Sequence, residues 1–169
     1  MSARVWTFLL LLLPLAGCGY QLSGRPGTVP SALRPLSVPM FTNTTTVPGI
    51  ERLFTAAVRE RLLRDGRVQL ATSTASTAVL RGEVTGYRVT VLAMNRDDRA
   101  LEYRVQTDVR VSVEDLRQHQ ILLQQPLTTT TEYVISETLV PTDIARERAL
   151  QAAARDVGER VVSLILDRF

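Results

Sequence analysis

Apolar and polar residues alternate with period two along residues 101–114. Leu101, Tyr103, Val105, Thr107, Val109, Val111 and Val113 fall on one side of this stretch. Glu102, Arg104, Gln106, Asp108, Arg110, Ser112 and Glu114 fall on the other. Such a pattern predicts a strand about 43 Å long with one buried face and one wet face. A second strand is predicted from Ala78 to about Met94. Its apolar phase moves from even positions (Leu80, Val84) to odd ones (Tyr87, Val89, Val91), and Gly86 at the switch marks a bulge. Asn95 to Arg99 reads as the charged tip joining these two strands. After a turn over Asp115–Gln120, Ile121 to Val134 reads as a further strand, with Pro126 marking an irregularity. Earlier in the chain, Leu33–Phe41 reads as a first strand with Leu36, Val38 and Met40 on one face. Pro35 and Pro39 remove backbone donors there and point to an edge position. Thr42–Val47 is a polar loop. Val68 and Leu70 begin a strand that the polar run Thr72–Thr77 interrupts.

Two segments carry helical spacing instead. Ile50, Leu53, Phe54, Ala57, Val58 and Leu62 form a stripe opposite Glu51, Arg52, Arg59, Glu60, Arg61 and Arg64. Pro48 suits the start of this helix, and Gly66 suits its end. The second helix opens at Pro141-Thr142-Asp143, with Thr142 or Asp143 as N-cap. Its expected buried stripe is Ile144, Leu150, Ala153, Ala154, Val157, Val161, Leu164 and Ile165. At about 37 Å it nearly matches the long strand. The order β-α-β-β-β-α predicts an α+β two-layer sandwich: a four-stranded, largely antiparallel or mixed sheet with two helices on one face.

The start of the chain follows different rules. Arg4 precedes a continuous apolar run, Val5–Leu13, which Pro14 breaks. A membrane-spanning helix needs about 20 apolar residues. This run is under half that and reads as the core of a signal peptide. Leu15-Ala16-Gly17-Cys18 resembles a lipobox, which implies cleavage before Cys18 and a diacylglyceryl group on its thiol. Gly19 follows, where an Asp would favour inner-membrane retention in enteric bacteria, so the resemblance points to the outer membrane. The expected organisation is a signal peptide over 1–17, a lipid-anchored linker over 18–31 and one α+β domain over 32–169. Cys18 is the single cysteine, so the domain has no disulfide and relies on packing.

Charge and chemistry narrow the function. All 20 basic residues are Arg, and the net charge is +3. No basic cluster is interleaved with aromatics, which argues against nucleic acid as a partner. The single histidine, His119, sits in a polar turn with no second His or free thiol to complete a metal site or a Cys–His pair. Asp97 and Asp98 are adjacent at a hairpin tip and read as solvated. No phosphate-binding glycine loop or nucleophile elbow is present. The chain therefore reads as a non-enzyme without metal or cofactor. Asn43-Thr44-Thr45 fits a glycosylation sequon but reads as a capping or turn Asn.

Several stretches together resemble the LPS-assembly lipoprotein family LptE. They are Cys18-Gly19-Tyr20-Gln21-Leu22-Ser23-Gly24, then Val38-Pro39-Met40-Phe41-Thr42-Asn43-Thr44-Thr45 followed by Pro48-Gly49-Ile50-Glu51. Asp65-Gly66-Arg67 and Leu80-Arg81-Gly82 with Tyr87 follow. The last third matches in the order of its elements, not by motif. The resemblance implies an outer-membrane lipoprotein that plugs and helps assemble the LptD β-barrel and assists lipopolysaccharide delivery to the outer leaflet. On the residues alone, the polar face of strand 101–114 suits solvent as well as a polar barrel lumen. If lipopolysaccharide is bound directly, Arg side chains suit its phosphates. Arg96 and Arg99 at the hairpin tip are the candidates, with Arg88 and Arg104 on the flanking strands. The alternative is a periplasmic adaptor lipoprotein of another envelope lipid-transport complex. A lipid-anchored enzyme is a third class, for which the sequence offers no site.

Overall fold

The computed structural model describes residues 33–96, 100–135 and 142–168. The signal peptide, Cys18, the linker, Asp97, Asp98, Arg99 and Pro141 lie outside the described residues.

Period two over 101–114 becomes β4 (Ala100–Asp115), the centre of the sheet. Val105, Thr107, Val109, Val111 and Val113 are all buried on its inner face. β3 (Ala78–Met94) and β5 (Gln120–Val134) flank it, both antiparallel. The register sets Val84 beside Val109 and Val109 beside Leu127, so apolar rows run across the sheet. The phase change in β3 is a register shift between Val84 and Gly86, as the sequence predicts. Gly86 lies opposite Asp108. A Cβ at Gly86 would stand 2.7 Å from the Asp108 Oδ2, so the carboxylate occupies the space a side chain would need.

Helix α1 (Ile50–Asp65) and helix α2 (Thr142–Arg168) cover the inner face and pack on each other. Their approach is close: a Cβ on Gly158 would lie 3.0 Å from the Ala57 carbonyl oxygen. α1 buries Ile50, Phe54, Val58 and Leu62 and ends where Gly66, at φ +73°, donates its N–H to the Leu62 carbonyl. Burial of such side chains stabilises by roughly 1.5–3 kcal/mol each. Beyond the helix end, the Asp65 carboxylate accepts from the Arg67 guanidinium at 2.7 and 3.0 Å and from Arg61 at 3.5 Å. The Arg67 hydrogen bond is the main reason its pKa lies below the ordinary value, against a smaller opposing effect of burial.

Five expectations need correction. The sheet has five strands, not four, because the predicted strand 33–41 is two short pieces: β1 (Leu36–Ser37) and β2 (Thr42–Asn43). Both run parallel to β3, against Ala78–Val79 and Glu83–Val84. Pro39 interrupts them, and α1 satisfies the intervening backbone. The Val38 carbonyl accepts from Arg59, and the Phe41 N–H donates to the Thr55 hydroxyl at 2.9 Å. Phe41, not Met40, enters the core; its ring fills the space a side chain on Gly82 would take. Val68–Leu70 forms one bridge, from Leu70 to Leu36, instead of a strand. Pro126 keeps register opposite Arg110, because β5 is an edge strand where a missing donor is tolerated. The irregularity falls at Val113/Glu114. In α2, Ile144 is exposed and Ala145 and Ala149 are buried. They continue the four-residue row of Ala153, Val157 and Val161, from which Ile144 lies about 100° away.

Candidate functional site

Among the described residues no helix lies on the sheet's outer face, and most of its charges are arranged in pairs. Arg110 donates to Glu83 at 2.9 Å directly across β4 and β3. Arg104 donates to Glu132 at 2.6 and 2.9 Å directly across β4 and β5. Arg81 pairs with Glu114 diagonally. Asp108 accepts from the Thr128 hydroxyl at 2.6 Å and from the Gln106 amide at 3.4 Å. Exposed pairs of this kind are worth about 0–1 kcal/mol each. Their effect is on the field: they make a polar, hydrogen-bonding face with little net charge. A shallow depression of about 410 Å³ lies on it, with Arg81, Glu83 and Arg110 in its lining. Both of its guanidiniums already face a glutamate, so it offers no unpaired cation to an anion.

The four candidate arginines separate. Arg104 is engaged by Glu132. Arg88 and Arg96 are exposed, and no ion pair or hydrogen bond joins their side chains to another group among the described residues. Arg88 stands opposite Gln106, one step from Thr90, which faces Arg104. Arg99 lies outside the described residues. The outer face thus brings Arg88 and Arg104 together, with only Arg88 free to meet an external anion. His119 occupies the β4–β5 turn at φ +51° and is exposed.

Sequence reasoning missed a second surface, on the inner side of the same hairpin. Val89 and Val91 carry the phase of core residues, yet each is 40% exposed, and Met94 is 59% exposed. Tyr103 and Tyr133, directly opposite in register, stack with centroids 5.2 Å apart and planes 8° apart. Burial raises the pKa of Tyr133, and neighbouring Tyr87 and Tyr103 add to this while Arg146 opposes it. Burial likewise raises Tyr87 against the pull of Arg146. These hydroxyls stay protonated at neutral pH. Tyr87, Tyr103, Tyr133 and the α2 residue Arg146 therefore form one aromatic and cationic patch beside the bare valines. The alternation in sequence marks these positions as inward-facing; it carries no signal that no helix reaches them.

Asn43 explains where the cover stops. Its amide donates to the Val47 carbonyl and to Glu51, both at 2.9 Å. Its Oδ1 accepts from the Thr45 N–H at 2.8 Å and the Thr45 hydroxyl at 2.7 Å. The Asn43 side chain is therefore the turn-former expected from sequence. It reverses the chain out of β2 and into α1 through Gly49, at φ +82°. The stretches Phe41–Thr45 and Pro48–Glu51 are one structural device.

A family model for lipopolysaccharide assembly, LptE, matches residues 33–168. No curated protein matches the chain. Among solved structures, a DUF330 protein from Xanthomonas campestris is similar at TM-score 0.62 and 12% identity, covering 80% of this chain and 85% of that one. A minor lipoprotein from Acinetobacter baumannii is similar at TM-score 0.54 and 18% identity, over 80% of this chain and 94% of that one. Lipoprotein B from Nitrosomonas europaea is similar at TM-score 0.53 and 14% identity, over 88% and 90%. At these identities the structural likenesses show the fold alone.

Proposed function

Because the chain belongs to the LptE lipopolysaccharide-assembly family, we propose that it is a non-enzymatic outer-membrane lipoprotein that plugs an LptD-type β-barrel. The family match over residues 33–168 carries this reading. In it, Cys18 bears the lipid anchor and the residues up to 31 form the tether. The outer sheet face supports the reading on physical grounds. A barrel lumen is polar and wet, and a face of internally paired Arg and Glu with Gln, Ser and Thr between them can exchange water for lumen hydrogen bonds without stranding a charge. Lipopolysaccharide phosphates would meet Arg96, Arg99 and Arg88 at the hairpin. Arg104 contributes less to that contact, since Glu132 already neutralises it.

The test is a mild-detergent pull-down of the tagged full chain from outer membranes, with Cys18→Ser in parallel and mass spectrometry of the eluate. A large heat-modifiable barrel at near one-to-one ratio is expected with the wild-type protein. Recovery with inner-membrane transport components, or with no partner, overturns the barrel reading. If the phosphate assignment is correct, the Arg88→Ala/Arg96→Ala double variant keeps the barrel but loses binding to purified lipopolysaccharide. Unchanged lipopolysaccharide binding overturns that assignment.

A further inference from the structure

We propose that the outer edge of β3 from Gly86 to Met94 is a strand-acceptor site for an extended segment of another protein, with alternate apolar side chains and an acidic residue facing Arg88. The same edge is used upstream by the chain itself. β1 and β2 pair with it in parallel at Ala78–Val79 and Glu83–Val84, and the Thr44 N–H makes the last bond, to the Val84 carbonyl. The Asn43 turn then takes the chain away. Beyond Val84 nothing among the described residues pairs with that side of β3.

The composition of this edge is unusual for one left to water. Native edges are blunted by proline, charge or short length. β5, the other edge of the sheet among the described residues, carries Pro126, the run Thr128–Thr131 and Glu132. From Gly86 to Met94 there is no proline, and Arg88 is the only charged residue. Val89 and Val91 stand exposed on the inner side, and their β4 partners, Val105 and Tyr103, continue an apolar row that an added strand would extend. Unpaired backbone groups flanked by such side chains recognise extended polypeptide: main-chain bonds supply affinity and alternate side chains supply specificity.

Charge selects the occupant. Arg81, Arg104 and Arg110 on the same outer face each face a glutamate. Arg88, the one beside this edge, has no acid among the described residues. A strand laid there brings a side chain within about 4.5–5.5 Å of Arg88's Cβ, and an acid completes the pattern its neighbours follow. A second copy fits less well. Antiparallel pairing of Tyr87–Val91 with itself would set two Arg88 side chains in diagonal reach, about 7–8 Å apart. The inference goes beyond the barrel reading and does not require the partner to be a barrel.

The experiment is hydrogen exchange on the full chain in detergent, with two synthetic peptides. One is Thr-Val-Glu-Val-Thr-Val-Glu-Val-Thr; the other has Lys in place of Glu. The acidic peptide is expected to slow exchange across residues 86–94 by about tenfold or more and to leave β5 unchanged. Arg88→Glu should transfer that effect to the Lys peptide. Val89→Lys/Val91→Lys, at exposed positions and checked for fold by circular dichroism, should abolish it. Several results overturn the proposal: no slowing over 86–94 at millimolar peptide, slowing on β5 instead, or equal slowing by both peptides. So do protection that rises with protein concentration alone, which marks a second copy, and full protection before peptide is added, which marks a segment of this chain.

Discussion

The two halves of β3 share one strand, the neighbour β4 and period-two alternation, shifted in phase at Gly86, yet they end in different environments. From Ala78 to Val84 the inner side chains are fully buried, with Leu80 and Val84 at 0% exposure. There the edge pairs with β1 and β2, and α1 lies over the face. From Tyr87 to Met94 the valines stand 40% exposed, and no described residue pairs with the edge. The boundary falls where three features coincide. These are the Gly86 bulge fitted around Asp108, the last bond from Thr44 to Val84, and the Asn43 turn that sends the chain back as α1. Among the described residues, the β3–β4 hairpin therefore outruns its cover. β4 and β5 remain shielded further along because α2 is 27 residues long, against 16 for α1. A domain built only for its own stability has little use for such an overhang. A domain that offers a surface to another molecule does.

The same substitution in both halves of β3 should have very different costs. Val84→Ala should cost about 2–3 kcal/mol, since it removes buried methyl groups and leaves a cavity. Val91→Ala should stay within about 0.5 kcal/mol, as surface changes do. Urea denaturation of the two variants measures both. Equal costs would mean that the distal half is covered in solution.

Next in size is the boundary itself. Asn43→Ala removes the side chain that holds Val47, Glu51 and Thr45. A loss of about 1–2 kcal/mol is expected, in the range of a lost cap or a charged hydrogen bond. Hydrogen exchange should show the loss as faster opening around Thr44 and Val84, with residues 87–94 unaffected. Uniform loosening of both halves would show that Asn43 supports the whole domain and does not mark its division.

Much of the fold is legible in the sequence, and the limits are physical. The period-two pattern gave β4 its face, and Gly86 gave the bulge, because both are local consequences of side-chain spacing. The two helices followed from stripes of matching period. What stayed hidden was non-local. Whether Val38–Phe41 pairs with a strand or with Arg59 and Thr55 depends on where α1 comes to lie. That Val89 and Val91 are bare while Val105 is buried depends on the reach of two helices from other parts of the chain. Alternation says which way a side chain points, and it is silent on what stands there to meet it. For the candidate cations the sequence puts Arg96 and Arg99 first and Arg88 and Arg104 beside them, with nothing to separate the last two. Only the cross-strand register shows that Arg104 has Glu132 opposite and Arg88 has Gln106.

The smallest expected effect lies at the far end of the covered half, where α1 stops. Asp65 closes the helix through Arg67 and Arg61, and its side chain is 10% exposed. Its folded pKa is lowered, chiefly by the Arg67 hydrogen bond, so the folded state favours the ionised carboxylate more than the unfolded chain does. The stabilisation is therefore complete above the unfolded value of about 3.9 and fades as pH falls through the depressed folded value. Asp65→Asn should lower stability at pH 7 by about 1 kcal/mol. The gap to the wild type should close as the pH drops below about 4, and thermal melts at pH 7 and in acid test it. A gap that persists unchanged in acid would assign the loss to shape and not to charge. The Tyr87–Tyr133 patch supplies the contrast within the same molecule. Its hydroxyls are raised, not lowered, so they contribute nothing across this acid range, and the overhang should keep its pairing surface at a pH where the end of α1 has begun to loosen.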